Sequence, residues 1–196
     1  MMTAERYEIC ISGSGGQGII TAAIILAEAA GVYDGKHVCQ TQSYGPEARG
    51  GASKAEVVIS NNVIDYPKAM KPDILLALNQ ASCNTYFSDL KPQGLLVVDA
   101  TLVDRIPTSR VVSIPFTDMA RKQVGKALAA NIVALGAVGY LSQVVSLKSL
   151  EAALMAKVPE GTQNMNLKAL RAGIKAAEKV DLNTLPRSIS REEEEL

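Results

Sequence analysis

A run of closely spaced glycines near the start of the chain restricts the fold more than any other feature. The cluster Gly13-Ser14-Gly15-Gly16-Gln17-Gly18 follows an apolar segment at residues 7–11 and precedes a helical segment at 19–30. Glycines let the backbone turn sharply and approach a ligand, while the N–H groups and positive dipole end of the next helix attract phosphate or carboxylate. The pattern predicts an anion-binding turn formed by Gly13, Gly15, Gly16, Gln17 and Gly18.

Helical and extended patterns alternate over the first two-thirds of the chain. Strands are predicted at residues 7–11, 37–43, 55–60, 74–78, 95–98 and 111–115, and helices at 19–30 and 80–90. This alternation is typical of βα units on a mainly parallel sheet. Asn61 and Asn62 indicate a turn, after which residues 63–66 are predicted to form a hairpin with strand 55–60. The expected fold is a Rossmann-like α/β sheet with flanking helices.

The last third of the chain is predicted to be helical. The helices are expected at residues 118–125, 127–145, 147–157 and 167–180. Ser146, Asn166 and, earlier in the chain, Asn79 are candidate N-caps. We predict a single domain over residues 1–183, followed by a mobile acidic tail over 184–196.

Segment 127–145 is long and apolar, but polar residues interrupt it. Asn131, Ser142 and Gln143 favour a buried helix over a membrane span. A helix that is apolar on nearly all faces must be covered by its own chain or by another subunit. This is a first indication of an oligomer, including a homodimer when the chain is isolated.

Composition excludes several classes of function. The 20 basic and 20 acidic side chains cancel, so neither nucleic acid nor an anionic membrane is an expected partner. Cys10, Cys39 and Cys83 lie far apart and accompany a single histidine, His37, which indicates no iron–sulfur cluster and no metal site. His37 has no evident partner, so no catalytic residue is predicted. The absence of a signal peptide predicts a cytoplasmic location.

The glycine spacing also satisfies the dinucleotide pattern G-x-G-x-x-G. A conventional NAD or FAD site would need a carboxylate at the end of strand 37–43, and that position has none. A P-loop would need lysine followed by serine or threonine after the glycines. Two alternatives stay open: a stand-alone nucleotide-binding oxidoreductase domain, and a purely structural interaction subunit in which the glycines serve packing.

A second motif occupies residues 44–51, directly after strand 37–43. Pro46 and the glycines around it restrict the backbone, so that Glu47 and Arg49 are displayed on a constrained loop. This loop leaves the sheet at the edge where α/β proteins bind ligands. Glu47 and Arg49 are either a solvated pair or part of a contact surface. The candidate partner-facing loop comprises Tyr44, Gly45, Pro46, Glu47, Arg49, Gly50 and Gly51.

Three strings together resemble the gamma subunit of 2-oxoacid:ferredoxin oxidoreductases. They are the glycine cluster, the run Tyr44-Gly45-Pro46-Glu47-Ala48-Arg49-Gly50-Gly51, and Pro72-Asp73-Ile74-Leu75-Leu76-Ala77-Leu78-Asn79-Gln80. Their order and spacing also agree with that family. The intact second string is similar to the 2-oxoglutarate or pyruvate type.

The resemblance implies a multi-subunit enzyme, of which this chain is one part. Such an enzyme decarboxylates a 2-oxoacid on thiamine diphosphate, forms acyl-coenzyme A, and passes electrons through iron–sulfur clusters to ferredoxin. The resemblance places these cofactors in the complex with alpha, beta and delta subunits, and none on this chain alone. It also implies that the glycine turn and loop 44–51 face the partner subunits, with a contribution to coenzyme A access.

Overall fold

The computed structural model of the chain describes residues 6–43 and 52–186. Its strands are β1 Arg6–Ser14, β2 His37–Ser43, β3 Ala52–Ser60, β4 Ile74–Ala77, β5 Leu95–Asp99 and β6 Val111–Ile114. Its α-helices are α1 Ile19–Glu28, α2 Gln80–Tyr86, α3 Phe116–Met119, α4 Ala130–Ser142, α5 Leu147–Lys157 and α6 Gln163–Ala177. Short π-helical or 3₁₀ turns occur at Ala29–Tyr33, Phe87–Asp89, Ala120–Val124, Ala127–Ala129 and Leu182–Thr184.

The strands form one six-stranded sheet in the order β2-β3-β1-β4-β5-β6. Strand β1 pairs parallel with β4, and the parallel pairing continues through β5 to β6. Strand β3 runs antiparallel to both of its neighbours, β1 and β2. The predicted α/β fold with a mainly parallel sheet is therefore confirmed, with β3 as the exception. Only residues 44–51 connect β2 to β3, and a connection this short favours antiparallel neighbours, because a parallel crossover needs about a dozen residues or more.

The larger hydrophobic core lies on the sheet face covered by α1, α4, α5 and α6. Helix α4 is buried along most of its length by its own chain, because α6 packs closely against it. A methyl group at Gly173 would collide with the carbonyl of Val133, and one at Gly136 with the carbonyl of Leu170. These glycines let the two helix backbones approach. The apolar character of segment 127–145 thus needs no second subunit to explain it.

The opposite face carries a smaller core under α2. Cys10, Leu75, Leu96 and their neighbours form this cluster. Helix α2 begins after Asn79, whose side chain accepts a hydrogen bond from the Ser82 N–H at 2.8 Å, as predicted for an N-cap. Within the described ranges, no helix is long and apolar enough to cross a membrane.

The amino end of β1 holds the segment that connects β3 to β4, residues 61–73. The Arg6 guanidinium donates to the carbonyl oxygens of Tyr66 and Lys68, each at 2.8 Å. The Glu8 carboxylate accepts from the Met70 and Lys71 N–H groups at 2.7 and 2.9 Å. The predicted hairpin of residues 63–66 with β3 is wrong, because these residues form no strand and β3 pairs with β1 and β2 instead.

The helical boundaries after β6 agree with the sequence pattern in part. Ser146 caps α5 as predicted, since its Oγ accepts from the Ser149 N–H at 3.0 Å. Asn166 is not an N-cap, because α6 already begins at Gln163 after Thr162. The Asn166 amide donates instead to the Thr162 carbonyl at 3.1 Å, inside the first turn of the helix. Residues 187–196 of the predicted tail lie outside the described ranges.

Candidate functional site

The glycine turn connects the end of β1 to the start of α1, as the sequence predicts. Gly16 and Gly18 both have positive φ angles, 85° and 71°, which L-residues with a side chain rarely adopt. Gly18 is the N-cap of α1, and no side chain caps this helix end. The turn therefore leaves backbone N–H groups at the positive end of a helix dipole.

Gln17 is the hub that holds this turn in shape. Its Oε1 accepts from the Ser14 N–H at 2.6 Å and from the Asn79 Nδ2 at 3.0 Å. Its Nε2 donates to the Leu78 carbonyl oxygen at 3.2 Å. One amide thus ties the turn to the junction of β4 and α2. The Gln17 side chain therefore makes its hydrogen bonds within the chain, and these bonds fix the position of the turn's backbone.

The glycines of the turn serve two different purposes. A methyl group at Gly13 would lie 2.7 Å from Gln17 Oε1, and one at Gly18 would collide with Asn131. Asn131 donates through Nδ2 to the Gly18 carbonyl at 3.0 Å, so these two glycines permit close packing. A methyl group at Gly16 would meet nothing within 4 Å. Gly16 therefore faces open space, and close packing does not explain why a glycine stands there.

Several N–H groups of the turn have no hydrogen-bond partner within the described parts of the chain. Those of Gly15, Gly16 and Gly18 are in this state, whereas the Gln17 N–H donates to the Ser14 carbonyl at 3.2 Å. Unpaired N–H groups at a helix N-terminus are donors for an anion. The predicted anion site is thus compatible with the geometry at Gly15, Gly16 and Gly18.

A pocket of about 200 Å³ opens beside Gly16, at the carboxyl ends of β1, β4 and β5. Asp99 lines this pocket and is fully buried. The Asp99 Oδ2 accepts from the N–H and Oγ1 of Thr117 at 3.1 and 2.5 Å, and Oδ1 accepts from the Thr101 N–H at 3.0 Å. The exposed side chains of Leu102 and Leu128 border the pocket. It therefore combines an apolar rim, a buried acceptor and the open side of the glycine turn.

The sequence pattern predicts a strand at residues 95–98, directly before Asp99, but no function for Asp99. The signal was present, because a carboxylate directly after four apolar residues at a carboxyl edge lies where α/β folds bind ligands. Thr117 could not be found from sequence, since it reaches Asp99 only when β6 has returned to the sheet. The carboxylate also disfavours an anion next to it, which confines such a ligand to the Gly16 side.

The candidate partner-facing loop, with Tyr44, Gly45, Pro46, Glu47, Arg49, Gly50 and Gly51, lies outside the described residues. Its two ends are described. Ser43 pairs with Lys54, and Lys54 pairs with Ser12 on β1. The chain therefore leaves β2 and re-enters β3 at the same edge of the sheet as the glycine turn, as the sequence predicts.

Charged side chains fix the start of β3 beside that loop. Lys54 Nζ lies 2.6 Å from Glu56 Oε1 and 5.3 Å from the centre of the Tyr86 ring. Burial alone would lower the pKa of Lys54, but the hydrogen bond and charge of Glu56 raise it overall. The Tyr86 hydroxyl donates to the Ala52 carbonyl oxygen at 3.0 Å. These contacts anchor the start of β3 to Tyr86 at the end of α2.

The two buried cysteines, Cys10 and Cys83, show no sign of reactivity. Burial raises the pKa of the Cys10 thiol to about 12 and also raises the pKa of Cys83. A protonated, buried thiol is a poor nucleophile and a poor metal ligand. Within the described ranges, no group of three histidine, cysteine or acidic side chains could hold a metal ion.

Comparisons with known proteins agree on one family. The family model for pyruvate ferredoxin/flavodoxin oxidoreductase matches residues 8–176. The 2-oxoglutarate synthase subunit KorC of Methanocaldococcus jannaschii is 49% identical over 179 residues, covering 89% of this chain and 96% of that protein. The pyruvate synthase subunit PorC of Methanothermobacter thermautotrophicus is 31% identical over 183 residues, covering 90% of this chain and 98% of that protein.

A solved structure gives the same result. The gamma subunit of a keto/oxoacid ferredoxin oxidoreductase from Geobacter sulfurreducens has a TM-score of 0.83 and 46% sequence identity. The match covers 89% of this chain and 98% of that one.

Proposed function

Because this chain belongs to the pyruvate ferredoxin/flavodoxin oxidoreductase family, we propose that it is the gamma subunit of a multi-subunit 2-oxoglutarate:ferredoxin oxidoreductase. The observation that carries the proposal is the 49% identity to a 2-oxoglutarate synthase subunit over 96% of that protein's length. The identity to a pyruvate synthase subunit is lower, at 31%. This difference favours 2-oxoglutarate over pyruvate as the oxoacid.

In this proposal, the chain lines part of an active site that the other subunits of a larger assembly complete. Alpha, beta and delta subunits complete the complex, which uses thiamine diphosphate, iron–sulfur clusters and coenzyme A and reduces ferredoxin. Without these subunits, the chain pairs with itself. The contribution of this chain is shape and contact at one edge of the sheet, where the glycine turn lies and loop 44–51 begins and ends.

To test the assignment, a tagged chain is purified from its native cells without oxygen. We expect thiamine-binding and cluster-bearing polypeptides to accompany it, and the eluate to reduce ferredoxin with 2-oxoglutarate and coenzyme A faster than with pyruvate. A chain that elutes without other polypeptides would contradict the proposal. An eluate that prefers pyruvate would preserve the subunit assignment and overturn the choice of oxoacid.

The second part of the proposal concerns coenzyme A access. Unpaired N–H groups at Gly15, Gly16 and Gly18 suit a phosphate of coenzyme A, and the apolar rim of the pocket suits its uncharged portion. Asp99 sits at the other side of the pocket and repels the phosphate from there. Support for this placement is the open space at Gly16, which packing does not explain.

The matched test compares Gly16→Ala with Gly35→Ala. Both glycines have positive φ, and an added methyl group meets nothing within 4 Å at either position, so both substitutions carry similar backbone strain. Only Gly16 lines the pocket. In the reassembled complex, we expect Gly16→Ala to raise the KM for coenzyme A by about tenfold, the equivalent of one lost charge-assisted hydrogen bond, while Gly35→Ala leaves it unchanged. Equal KM values in both variants would instead favour the purely structural alternative.

The third part concerns loop 44–51. We expect Glu47 and Arg49 to make charge-assisted contacts across the subunit boundary, where exclusion of water strengthens them. Arg49→Glu should therefore reduce co-purification of the other subunits. Arg121→Glu, at an exposed position in the turn Ala120–Val124 that follows α3, should not reduce it. Undiminished assembly with Arg49→Glu would return Glu47 and Arg49 to the role of a solvated pair.

A further inference from the structure

The two outer strands of the sheet are protected to different degrees. Strand β6 has 4 residues, Pro115 ends it, and Arg110 stands at its start. Strand β2 has 7 residues, from His37 to Ser43, and contains no proline, glycine, lysine, arginine, aspartate or glutamate. Proteins usually guard an edge strand with charges, proline, a bulge or short length. Strand β2 has none of these protections.

The outer side of β2 is also regular. Its pairing with β3 runs without a bulge from His37↔Ser60 to Ser43↔Lys54. In the part of the chain that the structure describes, β3 is the only strand that pairs with β2. Among the described residues, the other side of β2 therefore presents backbone N–H and C=O groups with which another strand could pair, and the one side-chain contact to the β2 backbone is from Gln40 Nε2 to the Thr41 carbonyl oxygen.

We propose that β2 pairs antiparallel with β2 of a second copy, across a two-fold axis at Gln40. In this register Val38 lies opposite Gln42 of the partner copy, and Cys39 lies opposite Thr41, so no like charges meet. The two Gln40 side chains lie opposite each other; Nε2 of each donates to its own Thr41 carbonyl oxygen at 3.1 Å in the single chain, and it would turn to the Oε1 of the opposite Gln40 in the dimer. A two-fold contact needs only one self-complementary surface, and it closes after two copies instead of growing into a fibre.

The surroundings of β2 favour a second copy as the occupant. The π-helical turn Ala29–Tyr33 packs beside β2, and a methyl group at Gly31 would touch Val38 at 3.5 Å. This turn exposes Val32 and Tyr33, which are 73% and 44% accessible. In the proposed dimer, both copies place these apolar side chains beside the seam between the sheets. The contact would therefore bury apolar surface as well as pair the strands.

The experiment uses opposite charges at one position of the full chain. Gln40→Glu and Gln40→Lys each place like charges opposite one another, so each variant should sediment as a monomer where the natural chain sediments as a dimer. An equal mixture of the two variants should recover the dimer mass at low salt and lose it at high salt. Val63→Glu and Val63→Lys, at an exposed site outside β2, serve as controls and should stay dimeric.

A cross-linking arm tests the register. Cα atoms directly opposite in an antiparallel pair lie about 4.5–5.5 Å apart, within the range that a disulfide spans. Gln40→Cys should therefore form a covalent dimer on mild oxidation, whereas the natural chain should not, because its Cys39 faces Thr41.

Three results would overturn the pairing: a monomeric natural chain, dimerisation that is unchanged by charge at position 40, or absence of the cross-link. If the natural chain is monomeric and Gln40→Lys blocks co-purification with the other subunits, the edge of β2 belongs to one of those subunits. The gamma-subunit assignment is tested separately, by co-purification of the other subunits with the chain of natural sequence. The outcome of that test does not depend on whether β2 pairs with a second copy.

Discussion

The two ends of β1 are held by similar side-chain hydrogen bonds, but they differ in how many backbone groups stay unpaired. At the amino end, Arg6 and Glu8 hold segment 61–73 by donating to two of its carbonyls and accepting from two of its N–H groups. At the carboxyl end, Gln17 plays the corresponding role for the glycine turn through Ser14, Leu78 and Asn79. In both places polar side chains replace the hydrogen bonds that regular structure would supply.

The difference lies in the backbone N–H groups that stay unpaired at each end of β1. Glu8 is only 4% exposed and forms a further contact of 2.6 Å with Arg6, so the amino end is closed. The carboxyl end keeps unpaired N–H groups at Gly15, Gly16 and Gly18, and Gly16 lines a pocket. The first arrangement contributes to stability alone, whereas we propose that the second also shapes an opening for a ligand. Substitutions at the two hubs should therefore separate folding from function.

The largest effect is expected from Glu8→Ala. It leaves the Arg6 guanidinium without its carboxylate and two N–H groups of segment 61–73 without their acceptor. We expect the free energy of unfolding to fall by about 3 kcal/mol, measured by urea denaturation. Glu28→Ala, which removes a partly exposed contact with Lys157, is the control and should cost less than about 1 kcal/mol. Equal losses in both variants would show that the amino-end hub is not a specific support.

A smaller loss of stability and a larger loss of function are expected from Gln17→Ala. The substitution frees the Ser14 N–H and the Asn79 amide, and Gln17 is only half-buried, so water can replace part of what is lost. We expect the free energy of unfolding to fall by about 1–2 kcal/mol. In the reassembled complex, the KM for coenzyme A should rise with Gln17→Ala and stay unchanged with Glu8→Ala at a temperature where both are folded. The reverse order of KM values would contradict the division between the two ends.

The smallest effect concerns Cys10, midway along β1. Burial raises the pKa of its thiol to about 12, so the thiol stays protonated in the fold while it ionises in the unfolded chain from about pH 9. The folded state then binds more protons, and stability falls as pH rises. Between about pH 9 and pH 10, the natural chain should lose about 1 kcal/mol more than Cys10→Ala, measured by urea denaturation at each pH. Parallel losses would show that Cys10 is ionised in the fold or accessible to water.

The sequence predicted the parts of the fold that depend on local pattern. Strand β4, for example, is a short apolar run after Pro72-Asp73, and the cap at Ser146 follows from a single side chain. The sequence-based prediction failed where strand pairing depends on residues that are far apart in the sequence. Residues 63–66 had the apolar character of a strand, but Arg6 and Glu8 bind the backbone of this segment through their side chains, and no strand forms there. A partner so far away in sequence leaves no periodic signal.

The site was predictable to a similar extent. The spacing of the glycines located the turn, but only the structure separates Gly13 and Gly18, which permit packing, from Gly16, which faces the pocket. The sequence also could not show that Gln17 points inward, because its partners Leu78 and Asn79 come from another strand–helix junction. Loop 44–51 keeps its predicted role as a proposal, supported by where β2 ends and β3 begins.

The most direct test is to assay the purified chain alone, without oxygen, for oxidation of 2-oxoglutarate in the presence of thiamine diphosphate, coenzyme A and ferredoxin, and to repeat the assay after adding the other subunits. We predict no ferredoxin reduction by the chain alone and reduction once the complex has assembled. Sustained oxidation by the isolated chain, or binding of NAD or FAD that supports it, would show that the protein is a self-sufficient oxidoreductase and not a gamma subunit.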